Sequence, residues 1–276
     1  MEGSGVMLTR IFIFAAQLGK KTHEDDLFAL SNELAYKILL SFFPFLIFMV
    51  SLLGFLDLED TPFAMQLLDA LPQEAGRFVG NFVAELQARP PAGILSISLL
   101  ISIYSASNGF RAVIRGVNKA HAYKDERNWI KKTALCVGLM AIFTFSIIIM
   151  LALWMFSDTL LSMAQPYIPF NAGLVLQVAS ALISMLVLIG ATAWMYRLAC
   201  SRREAGALIL PGACVTVSLW VISSEIFGIF ISRYSNISVL YGSIAGIFIL
   251  IVWLNLISFF LLFGNTVNAL LHTIST

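Results

Sequence analysis

Charge is scarce in this chain. Of its 276 residues only 12% are Asp, Glu, Lys or Arg, against 59% hydrophobic, which leaves too little polar surface to clothe a soluble domain of that size. Cysteine is scarcer still. Cys136, Cys200 and Cys214 form an odd set, each in or beside an apolar run, which argues against a disulfide framework and fits free thiols packing as small hydrophobes. His23, His121 and His272 stand apart in the chain, with no metal-ligand spacing around them, so neither a metal nor a cofactor is expected. A cleavable signal is lacking too: the stretch 6–18 is apolar and short, but Lys20 and Lys21 follow it and no small-residue cleavage site does. Too short to span as a helix, it is expected to lie along the cytoplasmic surface, with Arg10, Lys20 and Lys21 near anionic lipid headgroups.

What the chain has is long apolar runs. A hydrocarbon core about 30 Å thick needs roughly 20 helical residues to cross it, and six stretches qualify, near 34–55, 92–110, 133–156, 174–196, 208–231 and 240–262. These predict an all-α, polytopic membrane protein of six transmembrane helices in a single domain over 1–276, with 1–33 cytoplasmic or interfacial and the bundle over 34–270. Basic residues orient it. Arg111, Arg115, Lys119, Lys124, Arg127, Lys131 and Lys132 follow the second span, and Arg197, Arg202 and Arg203 follow the fourth. Those connections should be cytoplasmic, and so should both termini. The connection after the first span carries Asp57, Glu59, Asp60, Asp69, Glu74 and Glu85 and should face outward.

That outward connection is more than a loop. Thr61-Pro62 is a good helix start, and Phe78, Phe82, Val83 and Leu86 share a helical face opposite Arg77, Asn81 and Glu85. Two short amphipathic helices are expected at 61–90, acting as a structural lid or as a gate. Pro44 interrupts the first span, removing an intrahelical hydrogen bond. Ser41 lies one turn earlier to take up a freed group. The bend serves either as a fixed kink or as a hinge.

Three spans carry polar or small residues on one face. In the second, Ser98, Ser102, Ser105, Gly109, Ala112 and Gly116 recur at helical spacing beside Asn108, Arg111 and Arg115. In the fifth, Cys214, Ser218, Glu225, Gly228 and Ser232 align; in the sixth, Asn255, Ser258, Asn265 and His272 do. Such faces serve close helix packing, as Gly242 and Gly246 at GxxxG spacing also suggest, or they line a pathway. Glu225 is the only acid well inside a span. An ionised group there costs roughly 2.5–3.5 kcal/mol on insertion scales, so it should face the bundle interior. The expectation is that Glu225, Asn255 and the serine face line a polar cavity opening toward Arg111, Arg115 and Lys119, where an anionic headgroup or solute would bind. Glu33 and Lys37 are spaced as a structural i, i+4 ion pair.

The ordered residues Ala35-Tyr36, Leu40-Ser41-Phe42-Phe43-Pro44, Gly109-Phe110-Arg111-Ala112-Val113, Asn118-Lys119-Ala120, Leu240-Tyr241-Gly242-Ser243 and Trp253 make the chain similar to the YihY/BrkB family of bacterial inner-membrane proteins, whose older label was ribonuclease BN. The resemblance covers nearly the whole chain. It implies a six-helix inner-membrane protein for which transport, including of lipids or envelope components, has been suggested. Two positions depart from the pattern: Thr266 stands where the family commonly has an acid, in Gly264-Asn265-Thr266-Val267-Asn268, and Lys37 stands where tyrosine is common.

A nuclease would need clustered carboxylates or His and Cys ligands beside an RNA-binding surface. The acids lie mostly on the expected outer side, and the basic loop reads as the topology signal, so no enzyme activity and no nucleic-acid partner are expected. The preferred reading is a transporter or translocator of a lipid, envelope component or anionic small solute. The alternative is a non-catalytic membrane scaffold whose polar faces pack helices and whose small-residue faces form a homo- or hetero-oligomer.

Overall fold

The computed structural model describes residues 2–55, 92–164, 172–202, 209–233 and 243–275. Among them run seven α-helices and no strand: α1 Glu2–Glu24, α2 Leu27–Phe55, α3 Ala92–Ala120, α4 Trp129–Ala164, α5 Ala172–Ala199, α6 Leu210–Arg233 and α7 Ser243–Ser275. The short helices expected at 61–90 lie outside the described residues.

α1 extends well past the apolar stretch at 6–18, because the charged residues that follow keep helical spacing. Lys20 pairs with Glu24 at 3.6 Å and Lys21 with Asp25 at 3.5 Å. The chain then turns at Asp26, whose φ of 51° is left-handed, a conformation that Asp tolerates better than most residues. α1 packs against α7 and α2, with Phe12 and Ile13 exposed.

Four helices carry described stretches apolar and long enough to cross a membrane: Trp129–Ser146, Val178–Ala199, Leu210–Phe230 and Phe248–Ile274. α2 and α3 have 29 residues each, about 44 Å of helix, against the 30 Å or so of hydrocarbon. The protein is an all-α, polytopic membrane protein. Helix α2 runs on through Pro44. Ser41 does bond to the backbone, but not to the carbonyl of Leu40 that the proline leaves without its usual donor; its Oγ donates to Ile38 at 2.8 Å.

The helices close a ring. α2 packs on α3, α3 on α4, α4 on α5, α5 on α6, α6 on α7 and α7 back on α2, while α3 also reaches across to α5 and α7. In lipid, burying an apolar side chain gains little over leaving it among acyl chains, so close backbone approach and interhelical hydrogen bonds decide how such helices meet. At the crossing of α6 and α7, a Cβ on Gly212 would strike the carbonyl oxygen of Gly264, and one on Gly264 would strike Thr216 Oγ1 and the Gly212 carbonyl. Only glycines let these backbones touch. Asn268 completes the joint: its Oδ1 accepts from the Gly212 N–H at 2.6 Å and its Nδ2 donates to the Ile209 carbonyl at 3.0 Å.

A core of Leu34, Ala112, Val113, Ile114, Val117, Cys136, Leu139, Met195, Tyr196, Ala199, Ala213 and Leu261 fills the ring where the basic connections lie. Above it aromatic rings cross the interior edge to face. Phe110 of α3 meets Phe143 of α4 at 6.4 Å, and Phe143 meets Trp220 of α6 at 6.2 Å.

Candidate functional site

At the basic end, α3 stops in a tight cap. Ala122 N–H bonds back to Lys119 and Tyr123 N–H to Asn118, both at 2.9 Å, with Ala122 at φ 54°. These are the paired bonds of a Schellman motif, with alanine in the place usually taken by glycine. The cap turns the chain into a loop that ends at α4, where the Asn128 side chain accepts from Trp129 N–H at 2.7 Å.

Two side chains bind this corner to α5. Asn118 is buried and uses both ends of its amide: Nδ2 donates to the carbonyls of Ile114 and Ala199 at 2.7 and 2.9 Å, and Oδ1 accepts from Ser201 N–H at 2.8 Å. The Arg127 guanidinium donates to the carbonyls of Ala199 and Cys200 at 3.2 and 2.6 Å. A cation on the last carbonyls of α5 also answers the negative end of the helix dipole.

The corner frames a cavity of about 660 Å³ lined by Arg111, Ile114, Arg115, Asn118, Lys119, Ala122, Tyr123, Lys124, Asp125 and Lys132. Five of those ten residues are cationic and one is acidic. Arg111, Arg115 and Lys119 fall four apart on one face of α3, and Lys124, Asp125 and Lys132 come from the loop and the start of α4. Arg111 donates from Nη2 to Thr133 Oγ1 at 3.0 Å and lies over the Trp129 ring at 5.7 Å. The buried Cys136 thiol also bonds to its guanidinium.

Acids from neighbouring elements restrain the other cations. Arg115 Nη1 donates to both carboxylate oxygens of Glu33 at 2.9 and 3.1 Å, and Lys37 holds the same carboxylate at 2.5 Å. The Lys37 hydrogen bond, helped by the Arg115 charge, holds Glu33 below the ordinary carboxylate range although desolvation opposes it. Lys119 approaches Asp26 at 3.7 Å and Lys132 meets Asp125 at 2.9 Å. Burial would raise the Asp125 carboxyl, but Lys132 and the Arg127 N–H outweigh it and draw it down.

Of the other residues singled out from sequence, the described side chains of Glu225, Asn255 and Asn265 are placed apart from one another. Glu225 is exposed among exposed Val221, Ile222, Ile226 and Ile229, whereas α6 packs through Ala213, Thr216, Val217, Trp220 and Phe227. The carboxylate therefore stands on the outward side of its helix, not in the bundle interior. The stripe that carries it looked like a packing face because small and polar residues recur there, yet the helix buries the opposite side. Asn255 points to α2 and bonds to Asn32. Asn265 is buried, its Nδ2 donating to the Val117 carbonyl at 3.3 Å, which spends its polarity on joining α7 to α3. Asn108 is half-buried on α3. The side chains of Ser98, Ser102 and Ser105, like that of Pro44, lie outside the described ones.

Sequence reasoning missed the far wall of the cavity and the Glu33–Arg115 bond. A signal for the bond was present: Glu33 and Arg115 both flank their spans at the same basic end. It also missed a buried hydroxyl joint in which Thr216 Oγ1 donates to the Tyr196 oxygen at 2.7 Å, with the Phe260 carbonyl at 3.2 Å as the alternative acceptor for the same proton. Thr266 is buried and donates to the Leu262 carbonyl of its own helix at 3.1 Å. Among the described residues no three His, Cys, Asp or Glu side chains gather in a way that would hold a metal ion.

The family described as virulence factor BrkB matches residues 18–275. A ribonuclease-like protein of Bacillus subtilis, YfkH, is 31% identical over 245 residues, covering 88% of this chain and 89% of the relative. A UPF0761 membrane protein of Tolumonas auensis is 25% identical over 268 residues, covering 94% and 85%, and one of Pseudoalteromonas translucida is 24% identical over 257 residues, covering 89% and 81%. No solved structure matches the chain.

Proposed function

The chain belongs to the BrkB family, and from that premise we propose that it is a translocator in the bacterial inner membrane, handling an amphiphile or small solute with an anionic head. The observation that carries this reading is the basic cavity on the Arg111, Arg115 and Lys119 face of α3. In the orientation set by the basic connections this end is cytoplasmic, with both termini on the same side. Trp129 beside Arg111 is the residue type that favours the headgroup level, so the cavity lies where an inner-leaflet headgroup would sit. α1, with Phe12 and Ile13 exposed, lies in that same interface.

The protein acts without catalysis in this reading. The ribonuclease-like name belongs to the Bacillus relative, and RNA cleavage by protein purified free of contaminating nuclease would overturn this part of the reading. Transport is tested in proteoliposomes carrying a fluorescent anionic lipid whose outer-leaflet share is quenched chemically. Protein-dependent quenching of the inner-leaflet label is expected, reduced by Arg111→Ala. Vesicles with protein that behave like empty ones would overturn the proposal.

A second reading is a membrane scaffold, favoured by the fate of the interior polar groups: Asn118, Asn265, Tyr196 and Thr216 all bond across helices. Single cysteines placed along α3 and α6, after replacing Cys136, Cys200 and Cys214, separate the two. Aqueous labelling along one face supports a pathway, and uniform protection supports the scaffold.

A further inference from the structure

The cations of the cavity are not equally engaged. Arg115 is held by Glu33, Lys119 by Asp26 and Lys132 by Asp125. Among the described residues the other two lining cations, Arg111 and Lys124, make no ion pair. Arg111 spends its guanidinium on neutral partners only, the Thr133 hydroxyl and the Cys136 thiol, so its charge is not answered by an acid. Arg111 and Lys124 are thus the two lining cations that meet no acid, in a cavity whose positive excess is greater still because Glu33 is shared with Lys37 and Asp125 with Arg127.

Resting on the translocator reading, we propose that this cavity is a site for a phosphate monoester. Its dianion matches the two unpaired cations, whereas a phosphodiester or a carboxylate, with one negative charge, would leave one of them unanswered. Guanidinium and ammonium groups suit phosphate oxygens through charge-assisted hydrogen bonds. Glu33 adds selectivity, because an anion that also draws on Arg115 has to compete with a carboxylate already bonded through two oxygens, and a dianion does so better than a monoanion. A cavity of about 660 Å³ has room for more than the phosphate. Ile114, Ala122 and Tyr123 in its wall offer apolar contact to the carbon skeleton beyond the ester.

The monoester has two sources, a lipid headgroup or a soluble phosphate compound, and one experiment separates them. The full-length protein is placed in phosphatidylcholine nanodiscs and titrated calorimetrically with glycerol phosphate, and with its methyl diester as the monoanionic control. In parallel, the thermal midpoint is measured in nanodiscs doped with phosphatidate or with phosphatidylglycerol. The monoester, or phosphatidate, is expected to bind at least about tenfold more tightly than its diester counterpart, which corresponds to one unpaired charge contact of ordinary strength. Preference for phosphatidate with no response to glycerol phosphate assigns the site to a lipid. A response to glycerol phosphate assigns it to soluble monoesters.

Lys124→Gln is expected to cut monoester affinity about fivefold and leave diester affinity unchanged. Arg111→Gln should do the same, and because Arg111 also contacts Thr133 and Trp129, the exposed Lys124 variant decides if the arginine variant does not fold. Glu33→Gln should strengthen diester binding and so narrow the preference. Equal binding of monoester and diester, or binding of neither, overturns the proposal. Lipid movement that persists without dianion preference sinks this inference alone; a clear dianion preference in a protein that moves neither lipid nor glycerol phosphate sinks the translocator reading and leaves the site standing.

Discussion

The Tyr196 hydroxyl donates to the backbone carbonyl of Leu261 at 2.5 Å, joining α5 to α7 across the ring. Tyr196 is 1% exposed and the same hydroxyl meets Thr216 of α6, so a single oxygen ties three helices. Tyr196→Phe keeps the ring and removes that oxygen, leaving Thr216 with the Phe260 carbonyl alone. A loss of about 1–2 kcal/mol is expected, read as a lower thermal midpoint in detergent, with oligomeric state and expression unchanged. A variant as stable as the parent would show that the joint contributes nothing.

The glycine crossing makes a stronger demand. In Gly264→Ala the new methyl meets Thr216 Oγ1 and the Gly212 carbonyl, and in Gly212→Ala it meets the Gly264 carbonyl and the Asn268 amide. Backbone atoms cannot swing aside as the end of a long side chain can. Each substitution is expected to cost about 3 kcal/mol, at the upper end of overpacking penalties. Gly109→Ala, where a Cβ meets nothing within 4 Å, should be neutral or slightly stabilising through helix propensity. The three midpoints measured side by side distinguish a packing effect from a general cost of replacing glycine in these helices.

Ala122 offers the opposite sign. It sits at φ 54° in the cap of α3, where an L side chain strains and glycine does not. Ala122→Gly is expected to stabilise the protein by about 0.5–1 kcal/mol, despite the greater freedom of glycine in the unfolded chain. Because Ala122 also lines the cavity, the midpoint should be measured without added anions.

Helices and their approximate positions were legible because an apolar run of some 20 residues has few other uses. The ring was not, since in lipid both sides of a helix are apolar and periodicity does not say which is buried. Helix α6 illustrates this: Cys214, Ser218 and Glu225 form a visible stripe, while the packed side is made of Ala213, Thr216, Val217 and Trp220, ordinary residues for a span. Half of the candidate site could be read, because Arg111, Arg115 and Lys119 share a helical face by spacing alone. Its other half depends on the cap at Ala122, which brings Lys124, Asp125 and Lys132 opposite them, and no spacing rule places a loop against a helix face. The polar residues of α7 were legible as polar, but not that Asn265 and Asn268 would bond to backbone of α3 and α6.

His121 predicts a pH dependence. Burial, with repulsion from nearby His272 and Lys21, lowers it to about 4 despite a hydrogen bond with Asn265; Tyr123 stacks on its ring at 5.7 Å. A histidine in the unfolded chain titrates near 6.5. As pH falls, the unfolded state takes up its proton first, so this contribution to stability is fully present above pH 6.5 or so and is lost progressively down to pH 4 or so. The loss is expected to be about 2 kcal/mol. His121→Gln should flatten the thermal midpoint across that window, and an unchanged slope would mean that other groups carry it.

Glu225 supplies a test of its outward placement. It is exposed amid Val221, Ile222, Ile226 and Ile229, within a stretch of α6 long and apolar enough to cross a membrane. A carboxylate against acyl chains is unfavourable by a few kcal/mol on insertion scales, so replacing it with an apolar residue of similar length removes a cost and breaks no internal contact. Glu225→Leu in lipid nanodiscs is therefore expected to hold or raise the thermal midpoint, by about 1–2 kcal/mol once local water around the acid is allowed for. An interior carboxylate bonded to a neighbour gives the reverse result, because Leu would leave that neighbour unpaired in the core. A clear fall in stability with Leu, rescued by Gln, would place residue 225 against a polar partner; a rise would fix it in the lipid-facing wall of the ring.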